Sequence, residues 1–164
     1  MKKILFLVLL LMPLILNSQV IMSWNIQDLG KAKYNRELVD DIGIVIAESG
    51  ADIIAIQELV TSNWGDKCIY EILLHADYNF IISEKTTGPG TERYVYLWND
   101  KVKLIDYGLD TCLQEDINRE PFEAIFLYND KPIKIRQVHL VPSNKDPELE
   151  VSLLNYTDGI VCGD

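Results

Sequence analysis

Four polar side chains each close a short, largely apolar run of the chain: Asn25, Glu58, His139 and Asp164. Runs of this length, rich in β-branched residues, predict buried strands rather than helices. Strands that end in polar groups can bring those groups to one rim of a sheet, where α/β proteins place catalytic and metal-binding residues. One amide and two carboxylates form an oxygen-donor site suited to Mg²⁺ or Ca²⁺, and a histidine beside it can act as a general acid or base.

Each of these residues also has an ordinary structural explanation. Glu58 could simply begin a solvated loop, and Asp164 is unremarkable as the last residue of the sequence. A single histidine such as His139 is more often part of a core or a surface than of a catalytic centre. The occurrence of all four residues at strand ends is therefore what indicates a site.

The elements that would position these residues follow from hydrophobic periodicity and turn signals. The predicted strands are residues 20–26, 53–56, 78–82, 92–98, 102–107, 121–128, 133–140 and 159–162, and the predicted helices are residues 35–49, about 61–76 and a short helix from 146. The first strand, helix and strand form a βαβ-like unit whose direction of pairing the sequence leaves open. A turn at Asn99-Asp100 predicts that the strands on either side of it pair as a hairpin.

Side-chain patterns predict which faces of these elements are buried. Tyr94, Tyr96 and Trp98 alternate along one strand and are expected to form one packed face. The first helix carries an apolar face at helical spacing, composed of Leu38, Val39, Ile42, Val45 and Ile46. In the third helix, Asp146 is expected to act as the N-cap, and the apolar face is predicted to consist of Leu149, Leu153 and Tyr156.

Composition indicates a single domain with a substantial core, because only 164 residues are present and 48% of them are hydrophobic. The three cysteines lack the spacing of a zinc site, and a Cys68–Cys112 disulfide is left open. Residues 1–19 resemble a secretory signal peptide with a cleavage site near Ser18, the alternative being a retained membrane anchor. A secreted or periplasmic protein of residues 20–164 is therefore expected.

The charge of the chain limits how it could bind phosphates. Without Lys2 and Lys3 of the signal peptide, 13 basic residues stand against 25 acidic residues, a net charge of −12. Such a chain repels nucleic acid on average. Phosphate chemistry would therefore need a metal ion and a locally placed Arg or Lys.

Five segments together resemble a known family. They are Trp24-Asn25-Ile26, the run from Gly50 to Glu58, Asn118-Arg119-Glu120-Pro121, Val138-His139-Leu140 and the run from Ile160 to Asp164. In this order they resemble the endonuclease/exonuclease/phosphatase superfamily, and its deoxyribonuclease-I-like branch in particular, over residues 20–164. The resemblance implies an α/β fold, a four-layered sandwich of two mixed sheets flanked by helices. It also implies metal-dependent hydrolysis of phosphodiester bonds, with DNA as the expected substrate.

The resemblance also implies roles for individual residues. Glu58 would be the ligand of Mg²⁺, with Mn²⁺ or Ca²⁺ as alternatives, and Asn25 would lie beside the metal or the scissile phosphate. His139 would be a catalytic histidine, oriented by Glu92. Two further residues would act on the substrate directly: Arg119 would grip a substrate phosphate, and Asp164 would position the phosphate or the attacking water.

The sequence departs from the family pattern at its end. The family motif that begins Gly163-Asp164 continues with Phe-Asn, and a second catalytic acid and histidine follow later; none of these has a counterpart here. The only other histidine, His75, falls in the second predicted helix and is expected to be structural. We therefore expect an N-terminal two-thirds of the fold, truncated at the C-terminus, with little or no activity alone. The alternatives are a phospholipid or inositol-phosphate phosphoesterase and a catalytically silent remnant. Between the two enzymes, Arg119-Glu120-Pro121 favours the nuclease.

Overall fold

The computed structural model describes residues 18–88, 91–113, 116–154 and 158–164. The predicted signal peptide lies almost wholly outside these described residues, and so does Tyr156. Within the described part of the chain, no helix has the length and apolar character needed to cross a bilayer.

Eight strands form two mixed four-stranded sheets. The first sheet has the order β1-β2-β4-β3 and contains β1 (Ile21–Leu29), β2 (Ile53–Leu59), β3 (Asn79–Ile82) and β4 (Arg93–Trp98). The second has the order β5-β6-β7-β8 and contains β5 (Val102–Leu109), β6 (Phe122–Tyr128), β7 (Lys131–Val138) and β8 (Ile160–Gly163). The pairs β1–β2 and β7–β8 are parallel and the remaining pairs are antiparallel. The helices flank these sheets, so the predicted α/β sandwich is confirmed.

The βαβ unit forms as predicted and is parallel, with Ile21 opposite Ile53. Helix α1 spans Arg36–Glu48, and the Asn35 side chain caps it by accepting the backbone N–H of Glu37 at 3.1 Å. Gly50 then reverses the chain with φ +64°, a conformation that glycine adopts without steric penalty. The buried face of α1 is narrower than predicted, because Leu38 and Val45 are 41% and 48% exposed.

Helix α2 spans Asn63–Ile72 and ends earlier than predicted. His75 therefore lies beyond the helix rather than inside it. Its Nε2 atom is 3.0 Å from Asp40 Oδ1 on α1, and its ring packs against Gly43 of the same helix. His75 thus links α2 to α1 on the outer face of the first sheet, which is the structural role expected of it.

The space between the sheets is filled by aromatic side chains. Tyr94, Tyr96 and Trp98 form the predicted packed face and contact Phe122 and Phe126 of the second sheet. The predicted hairpin between β4 and β5 is wrong, because these strands belong to different sheets. The backbone of β4 is already paired with β2 on one side and β3 on the other, so it has no free edge for β5. The turn at Asn99-Asp100 instead carries the chain from one sheet to the other.

A buried carboxylate anchors the rim of the sandwich where this turn lies. Asp52 accepts hydrogen bonds from the Val20 backbone N–H at 3.0 Å and from Asn99 Nδ2 at 2.9 Å, and Lys101 Nζ is 3.1 Å away. Burial favours a higher pKa for Asp52, but these hydrogen bonds and the Lys101 charge outweigh it and hold the pKa below its ordinary value. The ionised side chain therefore ties the start of β1 to the inter-sheet turn.

Local predictions for helix α3 (Pro147–Leu153) are confirmed only in part. Asp146 occupies the predicted N-cap position, but it has φ +62° and its side chain makes no capping hydrogen bond. Leu149 is 59% exposed, whereas the buried residue of the helix is Glu150. The Glu150 carboxylate accepts the backbone N–H groups of Asn118 at 2.7 Å and Val141 at 2.8 Å. A hydrogen-bonded carboxylate therefore holds this helix to its neighbouring loops in place of the predicted apolar stripe.

The disulfide left open by the sequence does not form. Cys68 is buried on the inner face of α2, and Cys112 is exposed. Both are free thiols, as is Cys162. Burial raises the pKa of the Cys162 thiol to about 11, so this side chain is neutral in the inter-sheet core at physiological pH.

Candidate active site

Most of the predicted site residues lie on the face of their strand that points towards the other sheet. Alternate residues of a strand face opposite sides of the sheet. Asn25, His139 and Asp164 each continue the inward series of a strand at one shared rim of the sandwich. Glu92 reaches the same rim from the other direction, because β4 is antiparallel to β2 and begins at this end. Each inward series thus runs from apolar residues in the core to a charged or amide group at the rim.

Glu58 reaches the rim by a different route. Regular alternation along β2 would turn it towards the helices, together with Ile54 and Ile56. Instead, the pairing of β2 is irregular between Ile56 and Leu59, and Glu58 has φ +62°. A left-handed conformation at a residue other than glycine costs on the order of 1–2 kcal/mol. This strain falls at a candidate site residue, and no local sequence pattern indicates it.

Asn25 joins two of the acidic residues of the rim, Glu58 and Asp164. Its Nδ2 atom donates to Glu58 Oε1 at 2.6 Å and to Asp164 Oδ2 at 2.8 Å. Its Oδ1 atom accepts the backbone N–H of Gln27 at 2.9 Å. One amide therefore connects β1, β2 and β8 and holds two carboxylates close together.

His139 lies between two carboxylates. Its Nδ1 atom is 2.7 Å from both oxygens of Glu92, and its Nε2 atom is 3.3 Å from Glu58 Oε1. The bond to Glu92 fixes the orientation of the ring and, for a neutral imidazole, places the proton on Nδ1. Nε2 then faces the rim and Glu58.

Arg119 completes the surroundings of Glu92. Its Nε atom is 3.1 Å from Glu92 Oε2, and its Nη1 atom donates to the carbonyl oxygens of His139 and Leu140 at 3.3 and 3.4 Å. Glu92 is only 6% exposed, so its charge is balanced by the guanidinium and the imidazole rather than by water. Arg119 thus buttresses the His139 loop in addition to lining the site.

Two buried supporting residues had not been predicted. Glu120 is 1% exposed and accepts the Thr87 backbone N–H at 2.9 Å as well as the Thr87 hydroxyl. It pins the loop after β3 beside Arg119. Tyr94 lies beneath His139, and burial, aided by the nearby Glu92 charge, raises the pKa of its phenol above the ordinary value. The place of Glu120 in the segment Asn118-Arg119-Glu120-Pro121, just before β6, was the sequence signal that could have found it.

A cleft of about 780 Å³ opens over these groups and is lined by Glu58, Glu92, Arg119, His139 and Asp164, together with residues 140–143 of the following loop. Arg119 is the one Arg or Lys among the described residues that line it. The structure thus brings all six predicted site residues to one place: Asn25, Glu58, Glu92, Arg119, His139 and Asp164.

The donor set at this rim fits an open magnesium site. Mg²⁺ in proteins is commonly held by one or two carboxylates and keeps several waters. Glu58 offers a carboxylate with no Arg or Lys partner in the described part of the chain. Asn25 turns its NH₂ group towards Glu58, so coordination through its oxygen would require the amide to turn over. No cluster of three or more His, Cys, Asp or Glu side chains encloses a metal position within the described residues, so water and substrate would have to complete the ligand sphere.

Comparison with solved structures assigns the fold. A structure of D. rerio TDP2 complexed with a single-strand DNA product matches 89% of this chain with a TM-score of 0.63 and 14% identity. An endonuclease/exonuclease/phosphatase family protein from Leptotrichia buccalis matches 90% with a TM-score of 0.60 and 18% identity. A β-hairpin deletion mutant of beta toxin from Staphylococcus aureus matches 90% with a TM-score of 0.59 and 11% identity.

The chain therefore has the DNase I-like fold of endonuclease/exonuclease/phosphatase proteins, as its five motifs had indicated. It spans 60–66% of the length of these three structures. At such low identity the likeness concerns the fold, and the chemistry has to be argued from the site. Neither protein-family models nor curated proteins gave a match to this sequence.

Proposed function

We propose that this chain carries the site of a metal-dependent phosphodiesterase, with DNA as its foremost candidate substrate. The observation that carries the proposal is the placement of His139, whose Nδ1 is held by Glu92 at 2.7 Å while Nε2 faces Glu58 at 3.3 Å. An oriented imidazole next to an available carboxylate is the arrangement needed to move a proton beside a bound phosphate. The fold supports the same class of reaction, since one neighbour of this fold is complexed with a DNA product.

In the proposed mechanism, Glu58 and the oxygen of Asn25 would hold the cation. Once bound, Mg²⁺ would neutralise phosphate oxygens and stabilise the charge that develops in the transition state. Nε2 of His139 takes a proton from the attacking water, and Glu92 stabilises the resulting imidazolium through Nδ1. Arg119 supplies positive charge to the phosphate in the cleft, and Asp164 positions the phosphate or the water.

One imidazole can serve as the general base or as the general acid, but it cannot do both in one step. His75 does not help, because it lies on the helical side of the first sheet and pairs with Asp40. We therefore expect this chain alone to cleave DNA slowly or not at all, because the alkoxide leaving group of DNA needs a proton. A diester with a phenolate leaving group that departs unprotonated, such as bis(p-nitrophenyl) phosphate, should be turned over more readily.

The test is steady-state hydrolysis of bis(p-nitrophenyl) phosphate and nicking of supercoiled plasmid, each measured with Mg²⁺ and with EDTA. We expect metal-dependent turnover of the activated diester that His139→Ala lowers by about 10²-fold or more. His75→Ala is the matched control, and it should retain wild-type turnover. Turnover that is unchanged by EDTA, or a His139→Ala variant as active as wild type, would overturn the proposal. Robust plasmid nicking that depends on His139 would instead overturn the expectation of low activity on DNA.

The other proposals have separate tests. Hydrolysis of sphingomyelin or inositol phosphates in preference to DNA would favour the phospholipid or inositol-phosphate alternative. Absence of turnover on every substrate would favour the silent remnant. Export directed by residues 1–19 is a further proposal, and amino-terminal sequencing of the exported protein should find a start near Ser18; retention of Met1 in the membrane fraction would indicate an anchor instead.

A further inference from the structure

A row of hydrogen-bonded polar side chains crosses the sandwich directly beneath the site. Gln57 Nε2 donates to Gln137 Oε1 at 2.8 Å, and Gln137 Nε2 donates to the carbonyl oxygen of Val95 at 2.8 Å. At the other end, Ser23 Oγ is 3.4 Å from Gln57 Oε1. Both glutamines are fully buried. This amide row (Ser23, Gln57, Gln137 and the Val95 carbonyl) therefore joins β1 and β2 of the first sheet to β7 of the second.

The direction of every hydrogen bond in the amide row follows from its end. A backbone carbonyl can only accept, so Gln137 must turn its NH₂ group towards Val95 and its oxygen towards Gln57. Gln57 must then donate to that oxygen, which leaves its own oxygen facing Ser23. Because each amide has one orientation that satisfies its neighbours, the row also fixes the separation of the strands it joins.

Each side chain of the amide row stands next to a residue of the site in sequence. Gln57 directly precedes Glu58, and Gln137 lies one inward step before His139. Ser23 lies one inward step before Asn25. Gln137 also stands opposite Cys162 in the β7–β8 pair, and Cys162 lies one inward step before Asp164. The strands β1, β2, β7 and β8, which end in Asn25, Glu58, His139 and Asp164, are therefore connected one layer below the rim.

Stability alone does not explain this arrangement. The neighbouring inward positions are occupied by apolar and aromatic residues, and buried polar groups are costly unless every partner is present. Well-packed apolar residues of similar volume are often as stabilising as a buried polar network or more so. A hydrogen-bonded row, in contrast, sets a separation between strands that apolar contacts leave adjustable.

We propose that Gln57 and Gln137 are positioning residues, which set the separation of Glu58 and His139 across the two sheets; this rests on the proposed function of that pair. Removal of one amide leaves its partner unsatisfied in the core and should destabilise the fold. Removal of both should recover part of that stability, because neither amide is then left facing an apolar side chain, although the Val95 carbonyl loses its donor. The geometry of the rim should stay impaired in both cases.

The test compares Gln57→Met, Gln137→Met and the double variant, since methionine is close to glutamine in shape. We expect each single variant to be less stable than wild type in urea and the double variant to be more stable than either single variant. All three should show kcat for bis(p-nitrophenyl) phosphate lowered by about 10- to 100-fold, with KM within about twofold of wild type. Tyr96→Phe is the matched control, because the Tyr96 hydroxyl is 3.1 Å from the carbonyl oxygens of Phe122 and Ile135, deeper between the same sheets. It should lower stability and leave kcat unchanged.

A double variant that regains both stability and wild-type kcat would overturn the positioning role and leave the amide row structural. If wild type lacks turnover, the proposed function fails, and the positioning role is then tested by NMR of the His139 ring. Its resonances should shift and broaden in the double variant but not in Tyr96→Phe. An unchanged His139 spectrum in the double variant would overturn the inference whatever the activity.

Discussion

Glu92 is the buried charge on which the histidine and the arginine of the site both depend, so Glu92→Gln gives the most direct test of the site's electrostatics. The carboxylate is 2.7 Å from His139 Nδ1 and 3.1 Å from Arg119 Nε, and the three side chains are 8%, 14% and 13% exposed. Glutamine keeps the size of the side chain and one acceptor oxygen. The substitution removes the negative charge and turns an NH₂ group towards one of the two donors, His139 Nδ1 or Arg119 Nε.

The size of the effect follows from this geometry. Breaking a buried ion pair by removal of one partner costs about 3–5 kcal/mol. The retained acceptor places Glu92→Gln at the lower end, about 3 kcal/mol, which corresponds to a fall in melting temperature of about 6–12 °C for a chain of this size. Turnover of an activated diester should fall by about 10²- to 10⁴-fold, because the imidazole loses the group that fixes its tautomer.

Urea denaturation and calorimetry measure the stability, and hydrolysis of bis(p-nitrophenyl) phosphate measures the activity. Glu71→Gln is the matched control, since Glu71 contacts Tyr34 and Lys67 at a side chain that is 26% exposed. It should cost less than about 1 kcal/mol. If Glu92→Gln lost no more stability than Glu71→Gln, the buried charge of Glu92 would not be what holds His139 and Arg119 in place.

Three further predictions concern the scaffold. Asp52→Asn should lower the free energy of unfolding at pH 7 by about 1–2 kcal/mol; because the pKa of Asp52 is lowered in the folded state, wild type should lose this stabilisation as the pH falls below about 3.8 and the variant should not, as urea unfolding at several pH values would show. Gly163→Ala should destabilise by about 2 kcal/mol or more, because the new Cβ would overlap the carbonyl oxygen of Val138 at φ +147°, and a wild-type urea midpoint would contradict this. An aromatic disulfide reagent should label the exposed Cys112 rapidly and the half-buried Cys162 more slowly, because the pKa of Cys162 is raised to about 11 and less thiolate is present; equal labelling rates under native conditions would contradict the raised pKa.

The sequence was most informative where a side chain follows the regular alternation of a strand. Asn25, His139 and Asp164 could be predicted because each closes an apolar run that forms a strand, and the regular alternation of those strands places them at one rim in the structure. Their proximity to Glu92 and Arg119 was implied by the family motifs. Local spacing could not have shown it, because these two residues lie on elements that are distant in sequence.

Where local patterns failed, a competing tertiary interaction explains the failure. The turn at Asn99-Asp100 is a proper hairpin signal, but both edges of β4 are occupied, so the chain changes sheet. Leu149 is exposed because the hydrogen-bond partners of Glu150 hold the Glu150 side of the helix against the protein. Local sequence patterns do not contain the positions of such distant partners.

The amino-acid sequence by itself determined the strand and helix order, the packed face of β4 and the identity of the groups at the strand ends, because these depend on patterns within a few residues. The tertiary structure decided which strands share a sheet, the left-handed turn that brings Glu58 to the rim, and the amide row that joins the two sheets. These depend on hydrogen bonds between residues far apart in sequence, such as Gln57 and Gln137, and the separation of those residues is fixed only when both sheets are packed.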